Sequence, residues 1–198
     1  MASVAEEMVR IADAEWRFFG CMIEDKEGNV NNTGYRETDF GYWQRVGHYW
    51  HVGVGLDYTG LNTDKYWSAA FVSYVMKVAG AGAKFNYSAR HSDYINKAID
   101  DCLGNNRNAG FWGRSLEERA PAIGDLVCYA REEGIGFSSR PEKYASHADI
   151  VVAVNPGEIE VIGGNVHDSV TKKILAADEY GRLSDPRKKW FTVLQNRL

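Results

Sequence analysis

The run Trp67 to Ala79 (W-S-A-A-F-V-S-Y-V-M-K-V-A) is apolar on nearly every face and ends in Gly80. A helix without a polar stripe has to be surrounded, so the rest of the chain must supply a core on several sides of it. Glycine just past the last apolar turn is a common C-terminal stop, and Ser68 falls at or near the first turn. With 198 residues, of which 44% are hydrophobic, the chain is long enough to bury such a helix in one domain without staples. No internal repeat or linker divides it. One domain over 1–198 is expected, with an N-terminal arm over 1–63 and a core over 64–198.

The flanks of that helix follow from periodicity. Met8, Ala12, Trp16 and Phe19 recur at helical spacing ahead of Gly20, which predicts an amphipathic helix over 3–19. From Gly20 to Gly60 the chain carries eight glycines and many aromatics with little periodicity, which predicts a long irregular segment, either a cleft wall or a core filling under loops. Ser88 can cap a helix through about Cys102, with His91, Ile95, Ala98 and Ile99 on its inward stripe. Beyond a Gly/Asn-rich loop the period changes to that of strands. Leu126–Ala130, Ala148–Val154 and Ile159–Ile162 are β-rich, and further strands are predicted near Val170–Leu175 and Phe191–Leu194. Helices first and an antiparallel meander after them make an α+β domain.

Composition excludes several functions. The 27 acidic and 23 basic side chains leave a net charge of −4 and no electrostatic footprint for nucleic acid. No apolar run approaches the roughly 20 residues that span a bilayer. The start lacks a basic stretch followed by an apolar one, so synthesis in the cytoplasm without a signal peptide is expected. Three scattered cysteines with no C-x-x-C argue for free thiols rather than disulfides or a zinc knuckle. Neither a cofactor nor a resident metal is expected.

The strands give one geometric constraint. Asn155-Pro156-Gly157-Glu158 is a turn, and a two-residue loop there sets His147 opposite Val166, whereas a three-residue loop sets it opposite Asn165. In both registers His147 meets the Gly163-Gly164-Asn165 corner, and Asp149 shares its face two residues along. A histidine beside a carboxamide or carboxylate is the base and orienter of a nucleophilic triad, though a strand-end histidine is also a common structural feature. A side chain at the start of the buried helix feels a field that stabilises negative charge, which makes Ser68 a candidate nucleophile or, more simply, a first-turn serine. His91 is a second candidate for substrate contact or proton transfer, or a core histidine. With His147 and Asp149 it could also form a His/His/Asp metal site. His48, His51 and the His167-Asp168 pair are expected to be structural or exposed. Cys128 is expected to point away from the His147 corner as a buried thiol.

Four blocks resemble, in order and spacing, the CHAP and NlpC-type amidases and peptidases of bacterial cell walls. They are W-S-A-A-F-V-S-Y-V at 67–75, G-D-L-V at 124–127, H-A-D-I-V-V-A-V at 147–154 and V-I-G-G-N-V at 161–166. The blocks F-N-Y-S-A-R-H-S-D-Y-I at 85–95 and A-E-W-R-F-F-G at 14–20 resemble more closely an allied bacterial domain family of unassigned function. The resemblance covers nearly the whole chain. It implies a papain-like fold, with Ser68 as nucleophile, His147 as base, Asn165 (or Asp149) as orienter, and Tyr66 and Trp67 beside the substrate.

Ser68 stands where the papain-like group has cysteine, as in W-C-A-A-F. A serine must lose its proton as it attacks, whereas a cysteine beside histidine can be a ready thiolate. A true serine nucleophile, a site that has lost catalysis and an engineered replacement all fit the substitution. The expected activity is hydrolysis of amide bonds in peptidoglycan peptides. Export by phage lysis or contact-dependent delivery such as type VI secretion, action in a target periplasm and a neutralising immunity protein follow from that expectation. The alternative is a non-catalytic wall- or glycan-binding module, with the aromatics of 40–58 as a stacking surface.

Overall fold

The computed structural model describes residues 2–198. The chain is α+β: four α-helices and an eight-stranded sheet. The helices are α1 (Val4–Phe18), α2 (Tyr42–Val54), α3 (Ser68–Val78) and α4 (His91–Leu103). The strands are β1 (Ile23–Glu24), β2 (Val30–Asn31), β3 (Phe111–Arg114), β4 (Leu126–Ala130), β5 (Ser146–Asn155), β6 (Glu158–Val166), β7 (Ser169–Ala176) and β8 (Lys189–Asn196).

Sheet order is β2-β1-β7-β6-β5-β4-β8-β3. The predicted meander is its centre, β4 to β7, but the whole is mixed because β1 pairs parallel with β7. β8 docks beyond β4 rather than beside β7, so the last strand lies between β4 and the edge strand β3.

α1 begins with a capping box: the Ser3 hydroxyl accepts from the Glu6 N–H, and the Glu6 carboxylate accepts from the Ser3 N–H. Such reciprocal bonding satisfies two of the free donors of a helix start. Met8, Ala12, Trp16 and Phe19 are buried as their spacing predicts. The enclosed helix is α3, in which every residue from Ser68 to Met76 is buried and only the last two, Lys77 and Val78, are exposed.

The segment expected to be irregular contains α2. Its glycines hid it from the pattern, because glycine lowers helix propensity, yet Gly53 is a contact surface. A Cβ there would lie 2.6 Å from the Ala70 carbonyl oxygen, so the missing side chain lets α2 and α3 touch backbone to backbone. The aromatics of this stretch divide: Tyr49 and Trp50 are buried in the core, Tyr42, Trp43 and Tyr58 are half-buried, and Phe40 is 88% exposed.

Two hydrophobic clusters flank the sheet. The larger holds the helices together with Cys128, Ala148 and Ile150, and the smaller contains Val127, Val151, Ile159, Val161 and Val193. The β5–β6 hairpin realises both anticipated registers. Asn155 pairs with Glu158 around Pro156-Gly157, where Gly157 takes φ +78°, and an irregularity between Val151 and Ala153 then shifts the pairing so that Ile150 meets Ile162.

Candidate active site

Two helix starts converge beside the start of β5. Ser68 is the first residue of α3 and His91 the first of α4. Ser68 Oγ lies 2.6 Å from His91 Nε2, and Nδ1 of the same ring meets the Tyr94 hydroxyl one turn along α4. The α4 start is later than the sequence predicts. Ser88 caps the preceding turn instead, accepting from the Arg90 N–H at 3.0 Å and donating to Asp93 at 2.6 Å.

Ser68 and His91 are 5% and 6% exposed and line a pocket of about 340 Å³, together with Tyr66, Arg90, Arg131 and Ser146. Burial pushes the His91 pKa well below its ordinary value, and the neighbouring His147 and Arg131 push it the same way. At neutral pH the ring is therefore uncharged. With its proton on Nδ1, donated to the Tyr94 oxygen, Nε2 carries a lone pair toward the Ser68 hydroxyl, the arrangement a general base requires. Burial keeps the Tyr94 hydroxyl protonated.

The backbone adds a positive field. The N–H groups of the first turn of a helix lack intrahelical partners. The first intrahelical bond of α3 runs from the Phe71 N–H to the Trp67 carbonyl, leaving the amides of Ser68, Ala69 and Ala70 without an intrahelical partner at the helix's positive end. Trp67, expected beside the substrate, is instead buried. Its indole N–H donates to Glu37 at 2.5 Å, so it anchors the α3 start from behind. Tyr66, 72% exposed, is the aromatic at the pocket mouth.

His147 does not pair with Ser68. It is fully buried, and strand alternation from Val151, a member of the smaller cluster, puts His147 and Asp149 on the sheet face away from α3. Ser146, of opposite parity, is the β5 residue that lines the pocket. His147 Nδ1 lies 3.3 Å from an Arg131 nitrogen and Nε2 3.0 Å from Asp149 Oδ1. Guanidinium can only donate, so Nδ1 must accept and Nε2 must carry the hydrogen given to Asp149. Both ring nitrogens are committed. Burial lowers the His147 pKa, although Asp149 opposes the shift.

The network ends on a buried ion pair, with Lys173 Nζ 2.6 Å from Asp149 Oδ2. Burial alone would raise the Asp149 pKa, but Lys173 and His147 hold it well below the usual carboxylate range. Lys173 is shifted upward: burial disfavours its charge, and Asp149 more than restores it. The rings of His91 and His147 approach to 5.0 Å between centroids, which is where the two networks touch.

Asn165 does not orient His147. The β6–β7 register shifts between Gly163 and Val166, and Asn165 sits in that irregularity with φ +54°. Its side chain makes no hydrogen bond among the described residues, and Asp149 holds the ring in its place. The adjacent glycines have a packing role. A Cβ on Gly163 would lie 2.0 Å from Asp149 Oδ1, and one on Gly164 2.6 Å from Phe71 Cβ, so this pair lets β6 slide between the Asp149 network and α3.

The metal alternative also fails on geometry. Asp149 spends both oxygens on His147 and Lys173, and no three His, Cys, Asp or Glu side chains among the described residues are placed to hold a metal ion. Cys128 is a buried thiol in the larger cluster, its pKa pushed up by burial, and all three cysteines are free. His48 packs edge-on against Tyr74, and His51 and His167 sit at the surface beside Asp57 and Glu24. No helix of the described residues is long and apolar enough to cross a membrane. Tyr94 and Arg131 were missing from the sequence-level candidates. Tyr94 was legible, standing one helical turn from His91, whereas nothing local marks Arg131.

Residues 37–196 match the family described as "Uncharacterized protein conserved in bacteria (DUF2272)", and the chain belongs to it. The matched span contains every residue of both networks. No curated protein and no solved structure matches the chain.

Proposed function

We propose that this DUF2272 chain is a serine acyl hydrolase that cleaves amide bonds of peptidoglycan peptides, with Ser68 as nucleophile and His91 as base. The observation that carries the proposal is the 2.6 Å contact between Ser68 Oγ and His91 Nε2 at the rim of the pocket. As Oγ attacks the carbonyl carbon, its proton passes to Nε2, and the carbonyl electrons move to an oxyanion facing the α3 amides. Collapse expels the amine, which takes the proton from His91. Water then repeats the sequence on the acyl-serine and frees the carboxylate.

A tyrosine behind the histidine orients the ring but supplies no counter-charge to the imidazolium that forms. Turnover is therefore expected to be slower than in a triad with a carboxylate, whose amide replacement alone costs about 10⁴-fold in the serine protease template.

The peptidoglycan assignment, kinship with papain-like CHAP and NlpC-type enzymes, delivery to a target periplasm and a neutralising immunity partner rest on the sequence blocks. Purified protein incubated with peptidoglycan should release new amino termini, detected by derivatisation and mass analysis. Wild-type protein that releases none would end the proposal, and a Ser68→Ala variant that cleaves equally well would remove the nucleophile.

A further inference from the structure

The pocket carries charge that the dyad does not use. Arg90 and Arg131 both line it, and no aspartate or glutamate does, in a chain whose net charge is −4. Arg90 has no side-chain partner among the described residues, and Arg131 meets only uncharged groups, bonding to the His147 ring and standing over that of Tyr129. Glu132, which follows Arg131 in the chain, turns its carboxylate to the Ala145 N–H at 2.6 Å. Asp93, in the first turn of α4, is taken by the Ser88 hydroxyl. The starts of α3 and α4 add two positive helix ends to the same space.

A second, independent observation points to a ligand. Ser146 lines this pocket, is 9% exposed, and its buried hydroxyl has no hydrogen-bond partner among the described residues. Leaving a buried hydroxyl unpaired costs free energy that a bound acceptor would recover. The remaining wall is formed by Ala69, Ala89 and Ala145 together with Tyr66 and Tyr144.

We propose that the pocket selects acyl substrates with a free carboxylate beside the scissile amide, held by Arg90 and Arg131 with the Ser146 hydroxyl as a further donor. Guanidinium groups match a carboxylate with two parallel N–H donors, which fixes orientation as well as charge. This inference rests on the acyl-hydrolase proposal and names the substrate class of that site. The arginines are specificity-determining residues. The Arg90 side chain makes no hydrogen bond to either histidine among the described residues, although its backbone caps the helix that His91 opens, so a kcat that holds while KM rises separates charge recognition from a disturbed dyad.

The test compares wall stem peptides whose carboxylates are free with the same peptides amidated. Wild-type protein should prefer the free form in kcat/KM by at least about tenfold, a single well-formed charged contact. Arg90→Gln and Arg131→Gln should each cut that preference about tenfold, mainly through KM. Equal turnover of the two forms by wild type, or a preference that survives both substitutions, would overturn the subsite and leave the hydrolase intact. If wild-type protein cleaves neither peptide, the hydrolase proposal falls instead. Calorimetric titration of the two peptides then decides the subsite alone: tighter binding of the free form, weakened by Arg90→Gln, supports it, and equal or absent binding rejects it.

Discussion

Two polar networks, each built on a buried histidine, meet at one end of the sheet and differ in what their nitrogens can do. On the helix side, His91 faces the pocket and directs Nε2 at the Ser68 hydroxyl. On the far side, His147 is closed off at both nitrogens, by Arg131 and by the Asp149–Lys173 pair. Burial lowers both pKa values, so charge state alone does not separate them. What separates them is an available lone pair facing solvent-accessible space. The H-x-D spacing of His147 and Asp149 is the stronger sequence signature, yet that pair is the structural one. It holds the sheet end against which His91 rests, at 5.0 Å between rings.

The largest expected effects would break this division of roles outright. Ser68→Ala and His91→Gln should each lower turnover by roughly 10⁴-fold, since the members of a nucleophile–base pair fail together. Each variant should keep a wild-type circular dichroism spectrum. His147→Gln should lose less than the roughly 10²- to 10⁴-fold that a general base contributes. The reverse ranking in a steady-state assay would make His147 the base.

Next comes the cost of breaking the far-side network. Lys173→Met or Asp149→Asn should destabilise the fold by about 3–5 kcal/mol, because each leaves a buried polar partner uncompensated. Chemical denaturation measures this. The double variant should lose less than the two single losses added together, and strict additivity would show that the pair is uncoupled. Gly163→Ala tests the same network sterically and should cost about 1–3 kcal/mol, as overpacking does. The Asp149 carboxylate, 2.0 Å from the new methyl, has to move.

The smallest effects are in pH. Both histidines have lowered pKa values in the fold, so between the unfolded value of about 6.5 and the folded values the unfolded chain binds the extra protons. Stability should therefore be full above about pH 6.5 and decline as pH falls through the folded values. Asp149, also lowered, adds a second loss that begins below about pH 4. Lys173 acts oppositely: its contribution is complete below about pH 10.4 and is lost as pH rises through its raised value. Turnover should persist below pH 6.5, since His91 stays neutral there. An acid limb centred on 6.5 in kcat/KM would mean that the working histidine is not the buried His91.

Much of this was legible locally. The enclosed helix, the α1 face, the central strands and the Pro156-Gly157 turn follow from periodicity and turn chemistry. Ser68 at a helix start and His91 on an inward face were legible for the same reason. α2 was not, because Gly47 and Gly53 look like breakers until the close contact with α3 explains Gly53. The two-residue strands β1 and β2 are too short to carry a pattern. Arg131 had no signal, since its importance comes only from standing beside a ring that enters from another strand.

The partner of Ser68 is where sequence and tertiary structure divide. Local sequence determined that α3 is buried, that Ser68 opens it, that His91 and Tyr94 stand one turn apart, and that His147 and Asp149 share a face. These are consequences of the helical and strand periods. Tertiary structure alone decided which face of β5 meets the helices. Alternation states which residues lie together but carries no sign, so a strand can present His147 or Ser146 to the pocket with equal local regularity. Packing of Ala148 and Ile150 under the helices chose Ser146. That choice turned His147 into the far-side network and left His91 as the base within reach of Ser68.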